Sequence, residues 1–170
     1  MAKREGIYVT ADQLLKKVGK DVFRFFMLMR TSDTHLAFDY ELAKDTSEKN
    51  PVYYVKYAYA RLSGILRKAK GINSTKVSYD LLCKKEEIDL IKELLRFPKI
   101  IEEVTKETSV QKLPYYAIDL ATKFHSFYDK CRVISEDKEV TKVRLKLVEA
   151  TRIVLKNTLD LIGIEAPERM

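Results

Sequence analysis

Apolar positions recur three or four residues apart along most of this chain, and that period predicts helices. The strictest run lies between Gln111 and Cys131, where Leu113, Ala117, Leu120, Phe124, Phe127 and Cys131 form one seam. Spacing of that kind predicts bundle packing. A second seam, Val55, Ala58, Leu62, Ile65 and Ala69, runs from Asn50 to about Ala69. Asn50 can cap its first free amides, Pro51 suits the first helical position, and Gly71 supplies a left-handed stop. The last long helix is predicted over Lys138 to Leu161, burying Val143, Leu147, Ala150, Val154 and Leu161, with Gly163 as its stop. Its outer face reads as basic: Lys138, Lys142, Arg144, Lys146, Arg152 and Lys156 against Glu139 and Glu149.

Shorter elements fill the remainder. Ile7 to Val9 reads as a brief extended segment. Thr10 and Gln13 form a capping box ahead of Leu14, Leu15 and Val18, and Gly19 ends that helix. Asp21 to Arg30 carries a broad apolar face of Val22, Phe23, Phe26, Met27 and Met29. Thr31 to Phe38, with His35, reads as a polar turn, and Asp39 caps a short helix through Leu42 and Ala43. Asp45 to Lys49 is a charged linker, and Ile72 to Tyr79 a loop. Lys85 to Arg96 is predicted as a helix with Ile88, Ile91, Leu94 and Leu95 inward. Pro98 is expected to break it, and a separate helix to follow from Lys99 to about Lys106. The expected fold is therefore all-α, a helical bundle preceded by a short linking α segment.

Composition agrees. Five Gly and four Pro in 170 residues favour helices over short strands. Cys83 and Cys131 suggest a reducing compartment without a disulfide framework. No apolar run approaches a membrane span, and no apolar stretch behind the N-terminus makes it a secretory signal. The net charge of +7 suits a polyanion partner and equally suits an ordinary basic protein.

The candidate chemistry sits beside the two seams. Tyr54, Tyr57 and Arg61 stand at i, i+3 and i+7, within about 60° of arc on the shoulder of the first seam. His125, Tyr128 and Arg132 repeat that spacing beside the second. If the seams pack together, two rings and an arginine from each helix line one groove able to hold unstacked bases and a phosphate. The competing reading makes them amphipathic edge residues and surface charges. Catalytic signals are weak. His35 and His125 are far apart, the cysteines lack zinc spacing, and Cys131 lies on the seam as a buried thiol. Tyr128, Asp129 and Lys130 point in different directions on a helix, and no glycine-rich phosphate loop follows a strand.

Four ordered segments carry a family resemblance. Asn50-Pro-Val-Tyr-Tyr-Val-Lys-Tyr-Ala-Tyr-Ala-Arg61 resembles the start of the anticodon-binding (DALR-type) helical bundle of bacterial arginyl-tRNA synthetases. The family usually has Gln at Lys56 and His at Tyr59. Phe124-His-Ser-Phe-Tyr-Asp-Lys-Cys-Arg-Val133 resembles its second signature, and Ala166-Pro-Glu-Arg-Met170 its carboxyl terminus. Ser32-Asp-Thr-His-Leu-Ala-Phe-Asp39 also fits, and Met1-Ala-Lys-Arg4 resembles the tail of the class I Lys-Met-Ser-Lys-Ser signature.

The resemblance implies a carboxyl-terminal part of such an enzyme. Residues 1–49 correspond to a linking segment after the signature loop, and residues 50–170 to the anticodon-binding bundle. It implies an arginine tRNA as partner, read chiefly at the middle anticodon cytosine, with Tyr54, Tyr57, Arg61, His125, Tyr128, Arg132 and the terminal Met170 at the anticodon site. Lys3 matches the signature lysine that helps activation, a remnant with no ATP site to serve. ATP and Mg belong to the parent enzyme, not to this chain, which is expected to lack the catalytic domain and to be inactive alone. No metal site, DNA or membrane partner is implied. The parent is expected to be monomeric and cytoplasmic. Phe23, Phe26 and Met27, freed of the missing domain, are expected to invite self-association. Two other readings stand beside this one: a basic scaffold that docks proteins, and an independent enzyme.

Overall fold

A computed structural model describes residues 10–31, 34, 38–72 and 77–170. Among them are seven α-helices, one 3-10 turn and no strand. The helices are α1 (Ala11–Val18), α2 (Lys20–Leu28), α3 (Tyr40–Lys44), α4 (Pro51–Lys68), α5 (Lys85–Glu107), α6 (Lys112–Lys130) and α7 (Lys138–Leu161), and the turn is Tyr79–Leu81. The expected extended segment at Ile7 to Val9, the signature lysine Lys3 and the turn histidine His35 lie outside the described residues.

Local chemistry sets the boundaries. Thr10 and Gln13 make the capping box of α1, and the Asp39 side chain accepts from the Leu42 amide at the start of α3. Asn50 is fully engaged. Its Oδ1 accepts from the Val52 and Tyr53 amides, and its Nδ2 donates to the carbonyls of Ala43 at 3.2 Å and Asp45 at 2.8 Å. It thus caps α4 and fastens α3 to it. Because it is buried, Asn50→Ala is expected to destabilise the chain by about 1–2 kcal/mol, the upper half of the range for a lost cap, as read by urea denaturation. α7 closes with amides of Gly163 and Ile164 returning to Asp160 and Leu159, a Schellman-type end with Gly163 at φ +67°.

The core lies among α4, α5, α6 and α7. α6 is central, packing along α5 on one side and against α4 and α7 on the others. Its seam is as the period predicts: Leu113, Ala117, Leu120, Phe124, Phe127 and Cys131 are all buried. So are Val55, Ala58, Leu62, Ile65 and Ala69 of α4. Each large apolar side chain taken out of water there contributes about 1.5–3 kcal/mol.

Several expectations are corrected. Pro98 does not end a helix; α5 runs through it as one element of 23 residues. Phe97 rests on Tyr116 of α6 at 5.6 Å and Ile100 is buried, so packing continues across the proline and outweighs the lost amide. Leu95 is 72% exposed, whereas Leu90 is fully buried. On α7, Val143 and Leu147 are buried as expected, but Leu161 is 58% exposed and Ala150 is exposed. The buried arc there continues instead through Val148, Thr151, Leu155 and Leu159. Arg144, read as part of a basic outer face, is buried against Glu87. On α2 the buried ring is Phe25, while Phe23 and Phe26 pack on Phe38 at 6.4 and 5.6 Å and are partly covered.

The segment after α7 lies along α2. Arg24 donates to the Gly163 carbonyl at 3.0 Å, and the Glu165 amide donates to Asp21 at 3.1 Å. Asp21 also pairs with Lys56 of α4.

Candidate nucleic-acid interface

The packing of α4 against α6 decides where the two aromatic–arginine stripes go. Each seam faces the other helix, so the shoulders beside the seams meet along one edge of the contact. Tyr54 and Tyr57 of α4 reach the His125 ring of α6, with centroids 4.8 and 5.9 Å apart, the second pair stacked at 19°. Phe124 closes the other side of that imidazole at 5.5 Å. The Tyr54 hydroxyl lies 3.4 Å from the Thr122 hydroxyl, a further tie between the helices.

One turn on, Arg61 bridges the pair. Its guanidinium carbon stands 5.0 Å from the Tyr57 ring centroid and 4.5 Å from that of Tyr128, and it donates to the Tyr57 hydroxyl at 2.5 Å. Such cation–ring contacts contribute about 0.5–1 kcal/mol where solvent is near. Beyond Arg61 the helices part into a cleft of about 620 Å³, between α4 and the turn after α6. Arg61, Gly64, Lys68, Tyr128, Asp129 and Arg132 are among its lining residues, with Val133 and Ile134 at the turn. Among the described residues none of Arg61, Lys68 and Arg132 is in an ion pair, so three cations face one carboxylate, Asp129.

The structure thus brings together Tyr54, Tyr57, Arg61, His125, Tyr128 and Arg132, but not as six equal platforms. His125 is taken up by packing: the half-buried ring lies among Tyr54, Tyr57 and Phe124, and its Nε2 is buried without a hydrogen-bond partner among the described residues. Arg132 does not arrive by helical period. α6 ends at Lys130, Cys131 turns extended (φ −123°, ψ 104°), and that turn delivers Arg132 to the cleft. Met170 is 55% exposed and makes no hydrogen bond or ion pair among the described residues. Lys56 and Tyr59, which depart from the family's usual residues, lie elsewhere on α4. Lys56 pairs with Asp21, and the buried Tyr59 hydroxyl meets Arg152 of α7 at 3.3 Å. Gly64 and Lys68 were not singled out in the sequence, yet they continue the Tyr57–Arg61 stripe at i+3 and i+7 from Arg61 and were legible by extending it.

Burial first, and the nearby Arg61 charge second, hold His125 below the ordinary imidazole value of 6.5. The folded chain therefore keeps His125 neutral at a pH where the unfolded chain protonates it. Stability is expected to fall as pH drops through about 6.5 and to level off below the depressed folded value. Urea midpoints taken at about pH 7.5 and about pH 5.5 test this. The drop should shrink in His125→Phe, and an undiminished drop would assign it to other groups. Burial, with Glu87 nearby, raises the Cys131 thiol, which removes it as a nucleophile. Among the described residues no group of three or more His, Cys, Asp or Glu could hold a metal ion, and no helix is long and apolar enough to cross a membrane.

The arrangement is suited to a flexible polyanion carrying flat groups: half-buried rings at the edge, free cations behind them, and a cleft of nucleotide scale. Comparison with known proteins points the same way. Residues 55–170 match the family model of the DALR anticodon binding domain. The chain is 46% identical over 173 residues to the arginine–tRNA ligase of Salinibacter ruber, an alignment covering 100% of this chain and 31% of that protein. It is thus similar to about a third of the length of such relatives. A crystal structure of a Campylobacter jejuni protein assigned as an arginyl-tRNA synthetase superposes with a TM-score of 0.86 at 30% identity, covering 99% of this chain and 37% of that one. Thermus thermophilus arginyl-tRNA synthetase gives a TM-score of 0.75 at 28% identity, covering 96% and 28%. The chain belongs to the DALR anticodon-binding domain family, in the region that it shares with arginine–tRNA ligases.

Proposed function

We propose that this chain binds the anticodon loop of an arginine tRNA, serving a cytoplasmic, ATP-dependent arginine–tRNA ligase as its anticodon reader. The observation that carries this reading is the cleft lined by Arg61, Tyr128 and Arg132, with Tyr57 held against Arg61 at its edge. In this reading residues 50–170 form the reading bundle and residues 1–49 the segment that links it to the catalytic part. ATP and magnesium are assigned in this reading to that catalytic part. The chain alone is expected to leave arginine uncharged onto tRNA.

The binding mechanism follows from the side chains. Loop bases leave their stack, and the exposed parts of the Tyr128 and Tyr57 rings receive them, at about 1–3 kcal/mol per stacked base. Arg61 already lies over Tyr128, so an arriving base displaces it toward the phosphates, where its planar fork donates two hydrogen bonds. Lys68 and Arg132 neutralise neighbouring phosphates, and affinity falls with salt by a slope of about 0.7 per neutralised charge. The neutral His125 holds the two tyrosines without adding a charge.

The test is fluorescence anisotropy with an isolated arginine anticodon stem-loop and a copy altered at the middle cytosine, both at moderate salt. Tighter binding of the unaltered loop is expected. Equal binding of both loops, or none, contradicts the reading, and retention of a protein instead of RNA on size exclusion would favour a scaffold.

A further inference from the structure

Arg144 lies outside the cleft, on α7, yet one of its hydrogen bonds ends on the cleft wall. Its Nε donates to Glu87 Oε1 at 2.7 Å, and its Nη1 donates to the carbonyl of Arg132 at 2.9 Å. Glu87 is itself completely buried, and its second oxygen accepts from the Lys84 amide at 2.9 Å. The carboxylate is therefore fixed by the start of α5, and through it so is the guanidinium. Three residues further along the turn a second clamp closes. The Ser135 amide donates to the Thr141 hydroxyl at 3.0 Å, and that hydroxyl donates back toward the Ser135 and Asp137 carbonyls. Between these clamps run Val133 and Ile134, which line the cleft beside the exposed side chain of Arg132.

A buried ion pair is weak as a source of stability but strong as a constraint on geometry, because each partner tolerates few alternative positions. Here the constraint is spent on the backbone of a residue that points a free cation into the cleft. We propose that Arg144, held by Glu87, is a positioning residue for RNA recognition: it fixes the carbonyl of Arg132 so that the turn 131–135 presents the Arg132 side chain to a phosphate of the bound loop. The inference rests on the anticodon-loop reading given above.

Arg144→Lys keeps a buried cation for Glu87 but cannot reach both Glu87 and the Arg132 carbonyl with its single nitrogen. The test is a double-mutant cycle in the 170-residue chain, read as stem-loop affinity, with urea midpoints alongside. Arg144→Lys is expected to weaken binding roughly two- to 150-fold, the span of couplings between residues in contact. Added to Arg132→Ala, it should cause almost no further loss. A general loosening of the fold would weaken binding in both backgrounds alike, and that additive result overturns the proposal, as does unchanged affinity in Arg144→Lys. Thr141→Val, which opens the second clamp at the start of α7 while nearly keeping the volume of that buried side chain, provides the same cycle should the lysine variant fail to fold. Non-additivity with Arg132→Ala is again expected, and additivity or no effect overturns the proposal. Absence of stem-loop binding by the unaltered chain would instead sink the anticodon-loop reading itself.

Discussion

Glu87→Ala should be the most damaging single substitution in this chain, lowering its stability by about 3–5 kcal/mol. Glu87 is 0% exposed and Arg144 7% exposed, so the guanidinium cannot turn to water when its partner is removed. It keeps one acceptor, the Arg132 carbonyl at 2.9 Å, and an uncompensated charge. The Lys84 amide at the start of α5 loses its acceptor at the same time. Against a typical total of about 5–15 kcal/mol, that loss removes a large share of the folded state's margin. Glu87→Gln keeps an acceptor for Arg144 and should be milder. Urea denaturation followed by circular dichroism reads both variants. A loss below about 1 kcal/mol for the alanine variant would mean the pair is solvated and not structural.

Tyr128→Ala should give the largest loss of RNA affinity. Tyr128 carries Arg61 on its face at 4.5 Å and lines the cleft, so the substitution removes both a stacking surface and the rest position of the arginine. Loss of one stacked base corresponds to about 1–3 kcal/mol, or roughly 5- to 150-fold in affinity. Tyr128→Phe preserves the ring and is expected to bind nearly as the unaltered chain does. Lys68→Ala should act differently, reducing the salt slope by about 0.7 with little effect on discrimination between bases. Anisotropy titrations at several salt concentrations separate the two. A Tyr128→Ala variant that binds as tightly as Tyr128→Phe would remove stacking from the mechanism.

The helices that hold the site were the most legible part of the sequence, for a physical reason. The buried positions that make the seams of α4 and α6 are almost all apolar or aromatic, so a period of three and four shows in the letters themselves. The shoulders beside those seams could be placed from the same period, which is why Tyr54, Tyr57, Arg61, His125 and Tyr128 meet as the spacing suggested. α7 defeated the same approach because several of its buried positions are polar. Its buried positions include Thr141, Thr151 and Thr158, whose hydroxyls make hydrogen bonds, and Arg144 with its carboxylate. A pattern of apolar letters cannot register those positions. The partner of Arg144 stands 57 residues away, beyond any local window. Pro98 misled for a related reason. Its helix-breaking tendency is intrinsic, whereas the packing of Phe97 and Ile100 that carries α5 through it is tertiary. The roles within the site were harder still. Spacing placed His125 beside the tyrosines but could not show that they would pack around it, leaving Arg61, Tyr128 and Arg132 as the groups that line the cleft, with Tyr57 at its edge.

The location of the bound loop is the centre of the account, and photo-crosslinking reads it directly. An arginine anticodon stem-loop carrying 5-iodocytidine at its middle position, irradiated with the chain and digested, should leave adducts on peptides from the second half of α4 and from the segment around Tyr128 to Ile134. Adducts confined to the outer faces of α5 or α7, with the α4 and α6 peptides unmodified, would contradict it.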